Sequence, residues 1–244
     1  MTLEMGLMLV LVLLLSGISK AAFAGGLGLL AMPLMLLVFD AHTALGLMLP
    51  VLMMLDAFTL HRYWQRWSWP LLRQLLPAAL LGVAVSGLLL GLLSANQLMW
   101  VIGIGSVLFA LKYFSGWQSS GGLMASQGMG WLLGFVSGVS STLLHAGGPP
   151  LAMHLLARKL PSGQYIATSA LFFAVLNLVK LPVFIWQQQL TPELFWLALP
   201  FLPLCYVAIQ LGYWLKQHLQ DHYFLPIVHL LLLVAGLKLL WQAW

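Results

Sequence analysis

The chain has 244 residues, of which 62% are hydrophobic and only 6% are charged, and its formal net charge is +5. A soluble domain carries about 25% charged residues, so no water-soluble packing could hide this much apolar surface. The ten Lys and Arg are scattered through apolar sequence and form no patch for nucleic acid. With one cysteine, the chain cannot form an intrachain disulfide or a thiol-based metal cluster. We therefore predict an all-α, polytopic membrane protein with the lipid bilayer as its partner, and we expect no cofactor and no metal.

Apolar segments that could form membrane helices follow one another along the chain. They cover residues 3–19, 21–39, 43–60, 71–93 and 98–114, and then 128–144, 149–157, 166–186, 194–215 and 224–241. The stretch 1–6 at the start of the first segment contains Glu4 and no basic residue, so we predict a permanent helix and not a signal peptide. The polar stretch 115–127 is rich in glycine and serine. We predict that it links a first transmembrane repeat, 1–114, to a second, 128–244.

The two halves repeat a sequence pattern. SGIS at 16–19 returns as SGVS at 137–140, AGG at 24–26 as AGG at 146–148, and LAM at 30–32 as LAM at 151–153. Duplicated halves whose apolar segments are interrupted by glycine or proline at corresponding places are typical of secondary transporters. In such proteins the interrupted helices form the binding site.

The basic residues predict how the halves are oriented, because short cytoplasmic loops collect Lys and Arg. If each glycine-interrupted stretch forms a pair of segments, all basic loop residues fall on one side, namely Arg62, Arg66, Arg73, Lys112, Arg158, Lys159 and Lys216. Glu4, Asp40 and Glu193 then lie on the opposite side, and Asp221 joins the basic side. Five segments per half is an odd number, so the second repeat is predicted to be inverted relative to the first. The alternative is eight helices in two parallel halves.

The interrupted stretches SGISKAAFAGG, 16–26, and SGVSSTLLHAGGPP, 137–150, favour broken helices. A helix start exposes unpaired N–H groups and a partial positive charge, which together bind anions. The alternative is that the small residues only allow helices to pack closely. The candidate substrate-binding residues in these stretches are Gly25, Gly26, Ser140, Ser141, Thr142, His145, Gly147 and Gly148.

Two lysines fall within apolar sequence. Lys20 lies inside the first interrupted stretch, and Lys180 lies inside the segment 166–186. A charge at membrane depth costs at least about 2.5 kcal/mol on insertion scales, so function is the default interpretation. We predict that both lysines bind the substrate and that they suit a small anion. The alternative is that they snorkel to an interface.

Two further residues could carry a proton. Asp56 in the first half matches Asn177 in the second, so that an acid stands opposite its neutral isostere. We predict that Asn177 binds substrate and that Asp56 couples transport to protons; the alternative is that Asp56 pairs with Arg62. His145, which stands where the first repeat has Phe23, is the second candidate for proton coupling, because imidazole titrates near neutrality. Its alternative role is that of a hydrogen-bonded buried histidine.

Four strings carry a family resemblance: SKAAFAGGLGLLAMP from residue 19, LMLPVLMMLD from 47, STLLHAGGPPLAMHLL from 141 and FFAVLNLVK from 172. They resemble the paired motifs of the sulfite exporter TauE/SafE family of bacterial membrane permeases. The resemblance extends over nearly the whole chain. It implies a multi-pass protein of the bacterial inner (cell) membrane that moves sulfite, sulfonates or related small organic anions, coupled to an ion gradient. The residues that match the family motifs are Lys20, Gly25, Gly26, Asp56, His145, Gly147, Gly148, Pro149, Asn177 and Lys180.

We therefore predict a secondary transporter that moves a small anionic substrate by alternating access. A membrane sensor and an intramembrane enzyme without transport are the alternatives. An enzyme is not expected, because the chain has only five acidic residues and no HExxH or GxSxG motif. Association into a homo-oligomer is left open.

Overall fold

The computed structural model describes residues 2–24, 28–90, 92, 94–116, 121–218 and 221–244. Every regular element in these ranges is helical, which confirms the predicted all-α class. The α-helices are α1 (Leu3–Phe23), α2 (Ala31–Met35), α3 (Ala41–Arg62), α4 (Trp69–Leu90), α5 (Ala95–Phe114), α6 (Gly121–Met124), α7 (Gln127–Leu144), α8 (Gly148–Ala157), α9 (Ser162–Trp186), α10 (Pro192–Ala198), α11 (Leu202–His218) and α12 (Asp221–Ala243). Single 3-10 turns at Gly28–Leu30 and Leu199–Phe201 precede α2 and α11.

Five stretches among the described residues are long and apolar enough to cross a membrane: α1, α3, α4, α9 and Pro192–His218, which comprises α10 and α11. The most enclosed is α3, since 72% of its most apolar 18-residue window is buried. It packs against α1, α9, α10 and α11. Outward-facing leucines such as Leu81 and Leu88 on α4 remain exposed, as expected of a surface that faces lipid. The chain is a multi-pass helical membrane protein with α3 at its centre.

Two predicted segments are divided in the structure. The segment 21–39 was expected to form one helix, but α1 continues to Phe23 and α2 covers only five residues, Ala31–Met35. Ala24 ends α1 in the left-handed conformation, at φ 54°, with its N–H bonded to the Ser19 carbonyl. The segment 194–215 is divided at Leu199–Phe201, which contains a proline that cannot donate a backbone hydrogen bond. Within the predicted linker, 115–127, the structure places the single turn α6.

The contacts between helices have the same pattern in the two halves. The helix α1 packs along α11 and α7 packs along α4, while α3 packs against α9 and α5 against α12. Suppose that α1, α3, α4 and α5 of the first half correspond, in this order, to α7, α9, α11 and α12 of the second. Exchanging the halves then converts the contact of α1 with α11 into the contact of α7 with α4. The contacts of α3 with α9 and of α5 with α12 stay the same. Two repeats related by a twofold axis produce this pattern.

Two pairs of corresponding helices, α3 with α9 and α5 with α12, run antiparallel. Gln189, just after α9, hydrogen-bonds His42 at the start of α3, with 2.5 Å between Nε2 and Nδ1. At the other end, Gly163 in the first turn of α9 lies beside Arg66, just after α3. In the second pair, Trp100 Nε1 near the start of α5 donates to the carbonyl of Ala243 at the end of α12, at 3.2 Å. Antiparallel corresponding helices agree with the inverted repeat, which stays a prediction.

Charged residues separate to the two ends of α3. The guanidinium of Arg62 lies 3.9 Å from the centre of the Tyr213 ring, and Lys216 Nζ donates to Ser162 Oγ at 3.1 Å. These contacts bring the ends of α3 and α11 and the start of α9 together, and we call this the basic end. The opposite, acidic end is where the Asp40 side chain accepts from the Thr43 N–H, at 3.0 Å, and caps α3. Basic residues of distant loops therefore share one end, as the sequence predicts.

Glycines allow the closest helix contacts. A Cβ added to Gly17 on α1 would meet the Ala208 side chain of α11, and one added to Gly138 on α7 would meet the Ala79 backbone of α4. These glycines occupy corresponding positions of the repeat. For them, the packing role considered above as an alternative is the one that the structure supports.

Candidate functional site

A buried ion pair lies beside α3. Lys20, near the end of α1, places Nζ against Asp56 Oδ1 on α3, and Asp56 is only 1% exposed. The Lys20 ammonium also contacts the Leu52 carbonyl, at 3.4 Å. The second carboxylate oxygen of Asp56 accepts a hydrogen bond from Asn177 Nδ2 on α9, at 2.6 Å. The alternative in which Asp56 pairs with Arg62 is wrong, because Asp56 faces inward while Arg62 stacks on an aromatic ring at the basic end.

A second lysine lies close to this pair and contacts only neutral groups among the described residues. Lys180 on α9 is 0% exposed, and its Nζ lies 3.0 Å from the Ser141 carbonyl, 3.1 Å from Ser141 Oγ and 3.5 Å from His145 Nδ1. The other ring nitrogen of His145, Nε2, lies 3.0 Å from the Leu45 carbonyl. Since a carbonyl only accepts, Nε2 carries the proton, and Nδ1 of a neutral imidazole is free to accept from Lys180. Neither Lys20 nor Lys180 snorkels to an interface.

A protonated Lys180 gives this cluster a surplus positive charge. Lys20 and Asp56 compensate each other, and Lys180 has no carboxylate partner among the described residues. Burying an uncompensated charge is costly, and protein sites reduce that cost by binding an opposite charge. The cluster is therefore electrostatically suited to a small anion.

The cluster lies where the two repeats meet. Asp56 and Asn177 are corresponding residues, 121 positions apart, and they are hydrogen-bonded to each other. Residues related by a twofold operation can touch only close to its axis, so this is the contact expected at the axis of the predicted inverted repeat. At the same offset, Lys20 corresponds to Ser141 and Lys180 corresponds to Thr59. Each repeat thus supplies one lysine, but the two lysines lie on helices that do not correspond to each other, α1 and α9.

A small cavity opens beside the ion pair. Its lining consists of Lys20, Ala24, Asp56, Thr59, Ala170 and Phe173. Ala24 follows α1, and Ala170 lies about two turns from the start of α9, so the cavity lies on the basic-end side of the ion pair. It has room for about one water molecule, and it reaches Lys20 and Asp56.

The two interrupted stretches end their first helices in the same way. Ala24 after α1 and His145 after α7 are both left-handed, at φ 54° and φ 50°, and each N–H bonds the carbonyl five residues earlier. This geometry aligns His145 with Ala24, and not with Phe23 as the sequence comparison suggested. The side chain of His145 is thereby directed from a helix end into the cluster.

The hydroxyl groups of two predicted substrate-binding residues, Ser140 and Thr142, form hydrogen bonds within their own helix. The hydroxyl of Ser140 donates to the Val136 carbonyl at 2.7 Å, and that of Thr142 donates to the Gly138 carbonyl at 2.9 Å. Both bonds stay within α7, as is common for hydroxyls in apolar helices. Of the three consecutive polar residues, Ser141 is the one that contacts Lys180.

The glycines after His145 shape the start of α8. The Gly147 carbonyl accepts from Ser137 Oγ at 2.7 Å, and Gly148 begins the helix. Pro149 and Pro150 follow at once and have no N–H, so this helix start offers fewer donors to an anion than most. The lysine side chains are the stronger candidates for binding an anion here. Gly25 and Gly26 lie outside the described residues.

Three groups of the site were missed in the sequence. Thr59 lines the cavity and donates its hydroxyl to the Leu55 carbonyl at 2.8 Å. Its correspondence with Lys180 is a signal that could have identified it. The Leu45 and Leu52 carbonyls contact His145 and Lys20 through backbone atoms, for which the sequence carries no signal. Among the described residues, no group of three or more His, Cys, Asp or Glu could hold a metal ion.

The polar contacts form a track along α3. From the acidic end they involve His42, the Leu45 carbonyl, the Leu52 carbonyl, Asp56 and Thr59. At 1.5 Å per residue this track is about 25 Å long, which approaches the thickness of a membrane core. Polar contacts are thus distributed over most of the length of α3.

A multi-pass helical membrane protein with a charged cluster between two repeats has the architecture of a transporter. The sequence model of the family Sulfite exporter TauE/SafE matches residues 9–239. The chain therefore belongs to this family of sulfite exporters and transporters, as its motifs indicated. Comparison with curated proteins and comparison with solved structures give no match.

Proposed function

We propose that this protein is a secondary transporter that moves sulfite, a sulfonate or a related small organic anion across the membrane by alternating access. The observation that carries the proposal is Lys180, a fully buried lysine whose hydrogen-bond partners among the described residues are neutral. Its protonated form is stabilised when an anion binds beside it. Sulfite and sulfonates are small enough for a compact site and accept hydrogen bonds in several directions.

The position of the site supports alternating access. The contact between Asp56 and Asn177 lies at the axis that relates the two repeats, so a movement of one repeat against the other would change access to the site from both ends. The cavity lies on the basic-end side, whereas the hydrogen bond between His42 and Gln189 joins α3 to the end of α9 on the acidic side. We infer that this conformation is the one that faces the basic end.

The distribution of charge supports an orientation. Basic loop residues collect at one end of α3, and we infer that this end faces the cytoplasm of a bacterial cell membrane. In that orientation the conformation described here faces inward. The substrate would then enter or leave through the cavity beside Lys20.

Uptake measurements on purified protein in proteoliposomes test the proposal. Labelled sulfite and a labelled small sulfonate are offered with and without an imposed pH gradient, and initial rates are compared with those of Lys180→Gln. We expect saturable uptake by the wild type and at least a tenfold lower rate for the variant, because glutamine removes the uncompensated positive charge. A loss of about 1.4 kcal/mol in substrate stabilisation is sufficient for a tenfold effect.

Lys238→Gln is the matched control, because Lys238 also lies in an apolar helix, α12, but is exposed. It should transport at the wild-type rate. Size-exclusion chromatography in detergent shows whether each variant is folded. If the wild type takes up neither anion under either gradient, the proposed function is wrong; if Lys180→Gln transports normally, Lys180 does not bind the substrate.

A further inference from the structure

We propose that the site binds a divalent oxyanion together with one proton, which Asp56 takes up so that Lys20 is released to the anion. The inference rests on the proposed function and specifies the charge of the substrate and the residue that couples its binding to protons. It follows from three positions: an ion pair at the repeat axis, a second lysine beside it, and a cavity that reaches the pair.

The charge of the cluster depends on whether Asp56 is protonated. With Asp56 ionised and Lys180 protonated, Lys20 is neutralised and the cluster has one surplus positive charge. With Asp56 protonated, Lys20 and Lys180 together supply two positive charges. Only the protonated cluster compensates a divalent anion fully, and a buried site tolerates little uncompensated charge.

The geometry carries the second step. Asp56 lies between Lys20 on one oxygen and Asn177 on the other, and both it and Lys20 line the cavity. An anion that enters this cavity competes with the carboxylate for the same ammonium. A proton on Asp56 ends that competition, and the carboxylic acid can remain hydrogen-bonded to the Asn177 amide.

Asn177 is suited to both states of Asp56. Its Nδ2 donates to the carboxylate at 2.6 Å, while its Oδ1 is buried and has no hydrogen-bond partner among the described residues. A rotation of the amide brings Oδ1 to Asp56 and allows it to accept the new O–H. The amide thus offers a donor to the ionised form and an acceptor to the protonated form, which no apolar residue could do.

The other groups near Asp56 do not replace this role. The charged groups that act on it among the described residues are Lys20 from α1 and Lys180 from α9. From α11, the buried thiol of Cys205 lies near Lys20. The imidazole of His145, at the end of α7, is engaged with Lys180 and the Leu45 carbonyl. Asp56 is the carboxylate of this cluster.

The experiment measures proton uptake on binding. Sulfite, sulfate and methanesulfonate are titrated into the detergent-solubilised full chain by calorimetry in buffers of different ionisation enthalpy, at several pH values around neutrality. For sulfate, whose charge stays fixed, we expect the wild type to take up one proton per anion, and its affinity to fall about tenfold per pH unit once the pH exceeds the pKa of Asp56. Methanesulfonate, a fixed monoanion, should bind with no proton uptake.

Asp56→Asn is the decisive variant, because it fixes the neutral form of this residue and makes the two repeats identical at this position. It should bind sulfate with no proton uptake and with little dependence on pH. Sulfite itself titrates near neutrality, and the proton uptake that this causes is the same for the wild type and for Asp56→Asn. With sulfite, the wild type should therefore take up one proton more per anion than the variant. Sulfate should also raise the melting temperature of Asp56→Asn more than that of the wild type, since the anion compensates the unpaired Lys20.

A charge exchange covers the case in which Asp56→Asn does not fold. In Asp56→Asn/Asn177→Asp the carboxylate moves to the corresponding residue, in contact with its original position and on the helix of Lys180, and one proton per divalent anion should again be taken up. The inference is overturned if the wild type binds sulfite or sulfate without uptake of a proton beyond that of the anion, or if Asp56→Asn retains that uptake. If the wild type binds none of the three anions, the proposed function fails as well. A failure of the proposed function is thus distinguished from a failure of the inference alone.

Discussion

Removal of Lys20 tests whether the buried ion pair holds α1 to α3. In Lys20→Met the Asp56 carboxylate stays buried and keeps its hydrogen bond to Asn177, but it loses its partner charge. Breaking a buried ion pair from one side typically costs about 3–5 kcal/mol. Because Asn177 still donates and Lys180 still acts on the carboxylate, we expect the lower end of this range, about 3 kcal/mol.

The free energy of unfolding can be measured by titration with SDS in mixed micelles, with circular dichroism as the helix signal. The loss should grow as the pH rises, because at lower pH a proton can neutralise the isolated carboxylate. Lys20→Met/Asp56→Leu removes both charges and should lie within about 1 kcal/mol of the wild type, since replacing a whole buried pair by apolar residues is often neutral. The reasoning is refuted if Lys20→Met is as stable as the wild type while the double variant is strongly destabilised.

Two further predictions concern packing and a helix cap. Gly138→Ala should lower the free energy of unfolding by about 1–3 kcal/mol, because its methyl group would meet the Ala79 backbone. Gly128→Ala in the same helix has open space and should be neutral or slightly stabilising. SDS titration of both variants measures the difference. Burial acts to raise the pKa of Asp40, but its hydrogen bonds with Thr43 and with the backbone of Asp40 and His42 together outweigh burial and hold the pKa below its usual value. The stability that this cap contributes is therefore present above about pH 4 and is lost as the pH falls through the lowered pKa. Asp40→Ala should remove about 1 kcal/mol at neutral pH together with this acid dependence, and unfolding of both proteins across the acid range measures it.

Much of the candidate site could be predicted from the sequence, because the bilayer makes polar residues conspicuous. A lysine in an apolar segment is energetically costly, so Lys20 and Lys180 were predicted to be functional without a structure. The repeat at an offset of 121 paired Asp56 with Asn177, and the structure shows these two side chains in contact. The all-helical fold follows for the same reason, since only helices and closed barrels satisfy their backbone groups in lipid.

Where a helix breaks was predicted less well. The expected continuous segment 21–39 is divided, because a left-handed Ala24 ends α1 and a short α2 follows only at Ala31. Apolar composition gives little information here, since broken and unbroken segments within a membrane protein are equally hydrophobic. The same limit explains why His145 was aligned with Phe23, one residue away from its structural counterpart Ala24.

The sequence by itself determined that the chain is a helical membrane protein, that it is built from two related halves, and which charges lie at membrane depth. Each of these follows from composition and periodicity, which are local properties. Only the tertiary structure decided that Asp56 pairs with Lys20 and not with Arg62, and that Lys180 remains with neutral partners among the described residues. In the sequence, Lys20 and Arg62 were both available as partners of Asp56, and the choice between them depends on how α1 and α9 cross α3. That crossing is set by packing between residues far apart in the chain, so it becomes visible only when the helices are assembled.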